Sequence, residues 1–330
     1  LPRFTRDQKG KETVTLPFLA PQYMDEEVKP VYDEGPTRQR TLAESWEVRH
    51  TPPFSVSEEQ LLEPVLENYQ MSATHLNTFL DVTRDGPQRF LEEHLLRFPR
   101  AQTPQMAYGT AIHAAINRMY TLLQDTGELP SKDTLQHWFA EELAKTRLRS
   151  NQYASLEAAG KDALQVFYEQ WGPWLSAEHF SEFDMKHQNV RIGDAELSGQ
   201  IDVLVPEGEN SIEVHDLKTG NPEYKWNFSQ EKMLGYYRQL VFYKLLVENS
   251  REFGDAYTVS RGVLDYVVPE QQKPGTLPSE LSEEAAERMS RLIEIVYHKI
   301  QNLDLPSVEE YPKDAKGIQQ FEEDLLAQRV

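Results

Sequence analysis

Asp202, Asp216 and Lys218 stand on two segments that are otherwise apolar: Gly199-Gln200-Ile201-Asp202-Val203-Leu204-Val205 and Ile212-Glu213-Val214-His215-Asp216-Leu217-Lys218-Thr219-Gly220. Side chains alternate along a strand, so Asp216 and Lys218 share a face and Leu217 takes the other. A hairpin through Pro206-Glu207-Gly208-Glu209-Asn210 would bring Asp202 towards the same spot. Charged groups on apolar strands are costly unless they bind something. Two neighbouring acids repel, which raises a pKa unless a divalent ion neutralises them. An ion held there would polarise a phosphoryl oxygen and acidify water, while Lys218 would orient that water or stabilise charge growing on the phosphate. This is the minimum equipment for phosphodiester hydrolysis.

The acid-x-Lys tripeptide carries nothing alone. It recurs at Asp7–Lys9, Glu27–Lys29, Asp184–Lys186, Glu223–Lys225 and Asp314–Lys316. Only Asp216–Lys218 ends an apolar alternating strand and follows another acid by one hairpin. Read in isolation, even this pair fits an edge-strand ion pair worth little.

The elements that must hold these residues can be read from periodicity. Residues 180–192, 196–205 and 211–218 alternate and are rich in β-branched side chains, which predicts strands. A helix is expected over about 229–249, then a strand near 257–268, then a helix carrying Met289, Leu292, Ile293, Val296, Ile300 and Leu303. Ahead of them, Leu76, Phe79 and Leu80 follow Ser72 and Thr74, either of which could cap a helix. Ile112, Ala115, Ile116, Met119, Leu122 and Leu123 form an apolar stripe over about 105–125, and helices near 132–149 and 155–171 follow. The order is helices, an antiparallel meander, helix, strand, helix: an α/β domain with a helical addition at its N-terminal side. Residues 1–68, interrupted by Pro2, Pro17, Pro21, Pro30, Pro36, Pro52, Pro53 and Pro64, read as a Pro-rich arm or linker closing in a short helix around Leu61–Leu66. The domain proper is expected over 69–305, with an acidic tail over 306–330.

Composition narrows the chemistry. The 330 residues contain no cysteine, which excludes disulfides, thiolate zinc, iron–sulfur clusters and cysteine nucleophiles. Any metal must sit on carboxylate, carbonyl, imidazole and water, a set suited to Mg²⁺ or Mn²⁺. No apolar run approaches bilayer length, so no membrane partner is expected. No G-x-x-x-x-G-K-[ST] phosphate loop occurs, so the chain is not itself an ATPase. It begins at Leu1 without a secretory signal, as a piece of something longer would. The net charge of −20 argues against a nucleic-acid partner if taken globally. Local basic groups qualify that: Arg84 and Arg89 in one stretch, Lys225 and Arg238 in another, are candidate nucleic-acid contacts, although solvated helix faces would look the same.

Four segments in order carry a family resemblance. Gly109-Thr110-Ala111-Ile112-His113, then Gly199-Gln200-Ile201-Asp202, then Asp216-Leu217-Lys218-Thr219-Gly220, then Gln239-Leu240-Val241-Phe242-Tyr243 resemble the RecB/AddB-like branch of the PD-(D/E)XK nuclease superfamily. The stretch Met71-Ser72-Ala73-Thr74-His75-Leu76-Asn77-Thr78-Phe79-Leu80 resembles the start of such domains, which often follow a UvrD/Rep-like helicase. The resemblance covers about 70–300. It implies a restriction-endonuclease-like core, an antiparallel meander in a mixed sheet flanked by helices. It implies metal ligands at His113, Asp202, Asp216 and the Leu217 carbonyl, a catalytic lysine at Lys218, and positioning roles for Gln239 and Tyr243. Taken singly, His113 reads as a core or boundary residue, and Gln239 and Tyr243, four apart on one helix face, as interface residues. Many relatives bind an iron–sulfur cluster through cysteines, one of them after the opening helix; here that stretch reads Leu80-Asp81-Val82-Thr83-Arg84, so no cluster is expected.

The expected activity is a Mg²⁺- or Mn²⁺-dependent deoxyribonuclease, exonuclease-like on single-stranded DNA or DNA ends. It would work with or be fused to a helicase in repair or recombination, at the cytoplasmic nucleoid. The competing readings are a catalytically silent nucleic-acid-binding or scaffold module that keeps the fold, favoured by the net charge, and an unrelated Mg²⁺-dependent phosphohydrolase of small substrates.

Overall fold

A computed structural model describes residues 58–270 and 273–330. Most of the expected Pro-rich arm, residues 1–57, lies outside the described residues. Its closing helix is present as α1, Glu58–Leu66.

The helical addition comprises α2 (Ala73–Leu80), α3 (Gly86–Phe90), α4 (Pro104–Thr126), α5 (Lys132–Ala144) and α6 (Ser150–Trp171). Local chemistry sets their ends. Ser72 caps α2, its Oγ accepting from the His75 N–H at 3.2 Å. Thr103 caps α4 and Pro104 occupies its first turn, where a missing N–H costs nothing. Gly127 ends α4 at φ 75°, a left-handed conformation suited to glycine.

The sheet has five strands in the order β1-β4-β5-β6-β7: β1 Phe180–Asp184, β4 Gln200–Pro206, β5 Ser211–Lys218, β6 Thr258–Glu270 and β7 Lys273–Glu280. Two-residue strands β2 (Arg191–Ile192) and β3 (Ala195–Glu196) pair beside it. β1, β4 and β5 are an antiparallel meander. β5 and β6 are parallel, joined by helix α7 (Glu231–Glu248). β7 returns antiparallel to β6. The fold is the expected mixed α/β sheet flanked by helices.

Two cores enclose the sheet. One gathers Leu204, Ile212, Val214 and Leu264 under α2, α7, α8 (Glu283–Gln301) and α9 (Ala315–Leu326). The other gathers Val203, Val205, Leu217 and Val267 under α4, α5 and α6. Within the second, Gly160 on α6 meets Phe139 so closely that an added Cβ would lie 2.1 Å from its ring. Strand β5 is therefore buried on both faces, which sets the electrostatics of its polar residues.

Several boundaries differ from the sequence expectation. The strand expected over 180–192 breaks after Asp184 into a 3₁₀ turn, Met185–His187, closed by the Asp184 carboxylate accepting the Lys186 N–H at 2.8 Å. The strand expected over 196–205 begins at Gln200. Strand β7 was not expected, because Pro274, Gly275 and Pro278 obscure its pattern. As the sheet's edge it tolerates them. The largest correction concerns 306–330, expected as an acidic tail. It carries α9, capped by the Asp314 carboxylate on the Lys316 and Gly317 N–H groups, and buries Val308, Tyr311, Ile318, Phe321 and Leu325. Of the acids on this helix, Glu323 faces outward, while Glu322 and Asp324 are largely covered and pair with Arg238 and Arg329.

Candidate active site

Four elements converge on one corner of the sheet. α4 brings His113, β1 brings Glu182, β4 brings Asp202, and β5 brings Asp216, Leu217 and Lys218. Gly109 lets α4 approach the end of β5, since a Cβ there would stand 3.1 Å from Thr219 Oγ1. The Ser181 hydroxyl donates to Asn117 Oδ1 at 2.8 Å, fixing β1 against the same helix.

Asp202 is the hinge of the arrangement. Its Oδ2 accepts the Leu217 N–H at 2.7 Å, which turns the carboxylate towards the end of β5. Its Oδ1 lies 3.5 Å from His113 Nδ1, and Glu182 Oε1 lies 3.5 Å from the same nitrogen. Burial alone would lower the His113 pKa. The hydrogen bonds and charges of Asp202 and Glu182 overcome it and push the imidazole up to about 10. The charge those two acids draw onto His113 measures how strongly this corner favours a cation.

Asp216 is 1% exposed. Burial pushes its carboxyl up to about 6, opposed by Lys218 and reinforced by Asp202. Its Oδ2 stands 2.5 Å from Lys218 Nζ. Burial pulls the lysine down, but the Asp216 carboxylate, with Asp202, holds the ammonium above its ordinary value. Lys218 also donates to Gln239 Oε1 at 3.0 Å, and Gln239 Nε2 donates to Tyr243 Oη at 2.7 Å. Burial keeps the Tyr243 phenol protonated, helped by the charges of Asp216 and Asp202. The Tyr236 ring lies 4.2 Å from Lys218 Nζ, a cation–π contact.

The expected residues are thus brought together: His113, Asp202, Asp216, Leu217, Lys218, Gln239 and Tyr243 form one connected set. Among the described residues, His113, Glu182 and Asp202 place one ligand atom each within 4.8 Å of the others, a set able to hold a metal ion. A cleft of about 500 Å³ opens over them, lined also by Thr110 and Gln200. An imidazole and hard carboxylate oxygens suit a divalent cation.

Glu182 and Tyr236 were missed by sequence reasoning. Glu182 carried a readable signal: it sits in an alternating strand. The register pairs Ser181 with Val203 and Phe183 with Ile201, so Glu182 falls level with Asp202. It also adopts φ 47°, a left-handed conformation unusual for a non-glycine residue inside a strand and common where a side chain must be aimed.

The expected nucleic-acid contacts divide. Arg84 is well exposed, its side chain 68% accessible, and Lys225 is exposed. Arg89 and Arg238 are committed inward. Arg89 reaches Asp81 at 3.2 Å and Glu93 at 2.5 Å. Arg238 is buried, its Nε donating to Asn77 Oδ1 at 2.8 Å and its Nη1 pairing with Glu322. Packing needs, invisible in the charge count, claimed both.

On the opposite face of β5, His215 bridges two acids: Nδ1 lies 2.6 Å from Asp265 Oδ2 and Nε2 3.1 Å from Glu213 Oε2, which also pairs with Arg261. Burial lowers the His215 pKa, but the two carboxylates push it up to about 9. The adjoining cavity of about 400 Å³, walled by Trp171 and Trp174, contains none of Asp202, Asp216 and Lys218. This cluster buttresses the strand from behind.

Fold and site together set acids on a meander and a lysine at the end of its last strand. Residues 70–325 match the model of the PD-(D/E)XK nuclease superfamily, and the chain belongs to that superfamily. Its members use divalent metals. A search of the curated proteins finds no match. Among solved structures, the chain is similar to a candidate exonuclease from Eubacterium rectale, at 10% identity and a TM-score of 0.46, over 77% of this chain and 89% of that one. Among the described residues, no helix is long and apolar enough to cross a membrane.

Proposed function

We propose that this protein is a Mg²⁺- or Mn²⁺-dependent DNA nuclease that hydrolyses phosphodiester bonds, acting as an exonuclease on single strands or DNA ends. The observation that carries the reading is the carboxylate of Asp202, which ties His113 and Glu182 on one side to Leu217, Asp216 and Lys218 on the other. A helicase partner, a repair or recombination role and a nucleoid location are part of the same proposal.

A bound divalent ion would neutralise the acids and withdraw charge from a phosphoryl oxygen. His113, Glu182, Asp202, Asp216 and the Leu217 carbonyl would hold it. The remaining work belongs to the chain. Hydrolysis forms a bond from water oxygen to phosphorus, breaks the bond to the ester oxygen, and sends a proton to that leaving oxygen. Negative charge gathers on the non-bridging oxygens. Lys218 has three N–H donors. Asp216 and Gln239 engage two, and the third can meet a phosphoryl oxygen. Gln239 is itself oriented by Tyr243, so the ammonium is positioned before substrate arrives. His113 can join a metal only as the neutral imidazole, so binding the ion releases its proton.

The test is incubation of labelled single- and double-stranded DNA with Mg²⁺, Mn²⁺ or EDTA. Cleavage is expected with either metal and not with EDTA, and it is lost in Asp216→Ala and Lys218→Ala. Full activity in both variants overturns the assignment. The second reading, a silent nucleic-acid-binding module, is favoured by the net charge of −20. It predicts DNA binding without metal-stimulated cleavage.

A further inference from the structure

The segment that leaves Lys218 is unusually aromatic for a surface loop. Between the ends of β5 and α7 it reads Asn221-Pro222-Glu223-Tyr224-Lys225-Trp226-Asn227-Phe228-Ser229-Gln230. Tyr224 is 60% exposed and Phe228 41%, two of the six large hydrophobic side chains most exposed among the described residues. Aromatic rings left in water on an ordered loop ask for an explanation.

The loop is held rather than loose. Trp226 Nε1 donates to the Pro278 carbonyl at 2.8 Å, anchoring the loop to β7. The Trp226 and Phe228 rings stack with centroids 6.0 Å apart and planes 21° apart. Both meet Tyr237 of α7 edge-on, at 5.7 and 5.3 Å. Asn227 closes a turn, its Oδ1 accepting the Ser229 N–H at 3.1 Å. Tyr237 is chain neighbour to Tyr236, whose ring contacts Lys218 Nζ. The loop therefore starts at the lysine and its Tyr236 contact and carries its exposed rings, Tyr224 and Phe228, further out. A groove of about 280 Å³ is lined by Tyr236, Gln239, Lys232 and the exposed Arg84, together with the acids Asp81 and Glu231.

We propose that Tyr224 and Phe228, with the exposed Lys225 between them, form a base-stacking platform that feeds single-stranded DNA to the Lys218 centre. The proposal rests on the nuclease reading and names its substrate form. Single strands offer unpaired bases whose faces can lie on such rings, whereas a duplex keeps those faces covered by its own stacking. It also accounts for the charge. A chain with net −20 cannot rely on many phosphate contacts, but stacking needs none. Lys225 and Arg84 supply the few cations that a strand passing there would meet.

The experiment compares a labelled oligo(dT), an abasic strand of equal length and phosphate count, and a blunt duplex, by fluorescence anisotropy in EDTA with the full chain. The wild-type protein is expected to bind oligo(dT) at least ten-fold tighter than the abasic strand, on the order of one stacking ring's contribution. Phe228→Ala and Tyr224→Ala each weaken oligo(dT) binding by about ten-fold, and Phe228→Tyr restores it. Neither alanine variant changes abasic binding. The affinity is expected to depend on salt with a log–log slope shallower than about −2, fewer than three phosphate contacts at roughly −0.7 each. Equal binding of abasic and base-bearing strands, or alanine variants that bind oligo(dT) as the wild type does, overturns the proposal. Stacking-dependent binding without metal-stimulated cleavage would sink the nuclease reading and leave the platform standing. Cleavage with indifference to the bases would do the reverse.

Discussion

Arg238→Ala is the sharpest probe of how charge is used in this protein. By residue type Arg238 looks like a phosphate contact, being basic and one residue before Gln239. In the fold it is 7% exposed and joins three helices. From α7 it donates to Asn77 Oδ1 on α2 at 2.8 Å and pairs with Glu322 on α9. Truncation strands both acceptors. Breaking a buried charge pair typically costs 3–5 kcal/mol. Arg288 still reaches Glu322 at 3.4 Å, which softens the loss and puts the expected cost near the lower end, about 3 kcal/mol. At roughly 2–4 °C per kcal/mol for a domain of this size, the melting temperature should fall by about 6–12 °C. Two assays decide: thermal unfolding by circular dichroism, and the salt dependence of DNA affinity on the fraction still folded. A strut lowers Tm and leaves the salt slope alone. A phosphate contact leaves Tm alone and reduces the slope by about 0.7 for a single strand. A Tm within about a degree of wild type, with a reduced slope, refutes the inward commitment read from the geometry.

Other consequences are as direct. Glu182→Gln keeps shape but removes a carboxylate 3.5 Å from His113, so the Mg²⁺ concentration for half-maximal cleavage should rise by at least about ten-fold; an unchanged requirement would place the ion elsewhere. Deleting residues 307–330 removes five buried side chains, Val308, Tyr311, Ile318, Phe321 and Leu325, and uncovers the core they pack against. At about 2 kcal/mol each, the loss of about 10 kcal/mol matches the whole stability of a typical domain, and a cooperative melt in the shortened chain would contradict it. Acid should loosen the start of the domain. His75 packs against Tyr69, Phe90 and His94, and burial, then the charge of His94, lowers its pKa to about 4. The native state therefore binds fewer protons than the unfolded chain between pH 6.5 and 4. Its contribution is intact above 6.5 and is lost as pH falls, by up to about 3 kcal/mol. His75→Gln should flatten that part of the stability–pH curve, and an identical curve would remove His75 as its cause.

How much was legible in the sequence varies with how local each signal is. The alternation of β4 and β5, the turn between them and the Ser72 cap depend on residues a few positions apart, and all were readable. Ile318, Phe321 and Leu325 carried helical spacing too, but the acids around them suggested a tail, because charge was read without asking which face it occupied. β7 was hidden by Pro274, Gly275 and Pro278, whose usual meaning is loop. An edge position, known only once β6 is placed, makes them acceptable.

The sequence by itself determined which residues could do chemistry: an acid on each arm of a hairpin, a lysine two positions beyond the second, and a Gln–Tyr pair one helical turn apart. Those follow from period and spacing, which chain geometry fixes. Only the tertiary structure decided what those groups experience. Burial of β5 on both faces raises Asp216 and stations Lys218 between it and Gln239. The docking of α4 and β1 adds His113 and Glu182 from positions 89 and 20 residues away from Asp202. The same packing withdraws Arg89 and Arg238 and leaves Arg84 and Lys225 outside. A residue's type is local, but its desolvation and its partners depend on contacts across the whole chain, and these set the strength and sign of every charge at the site.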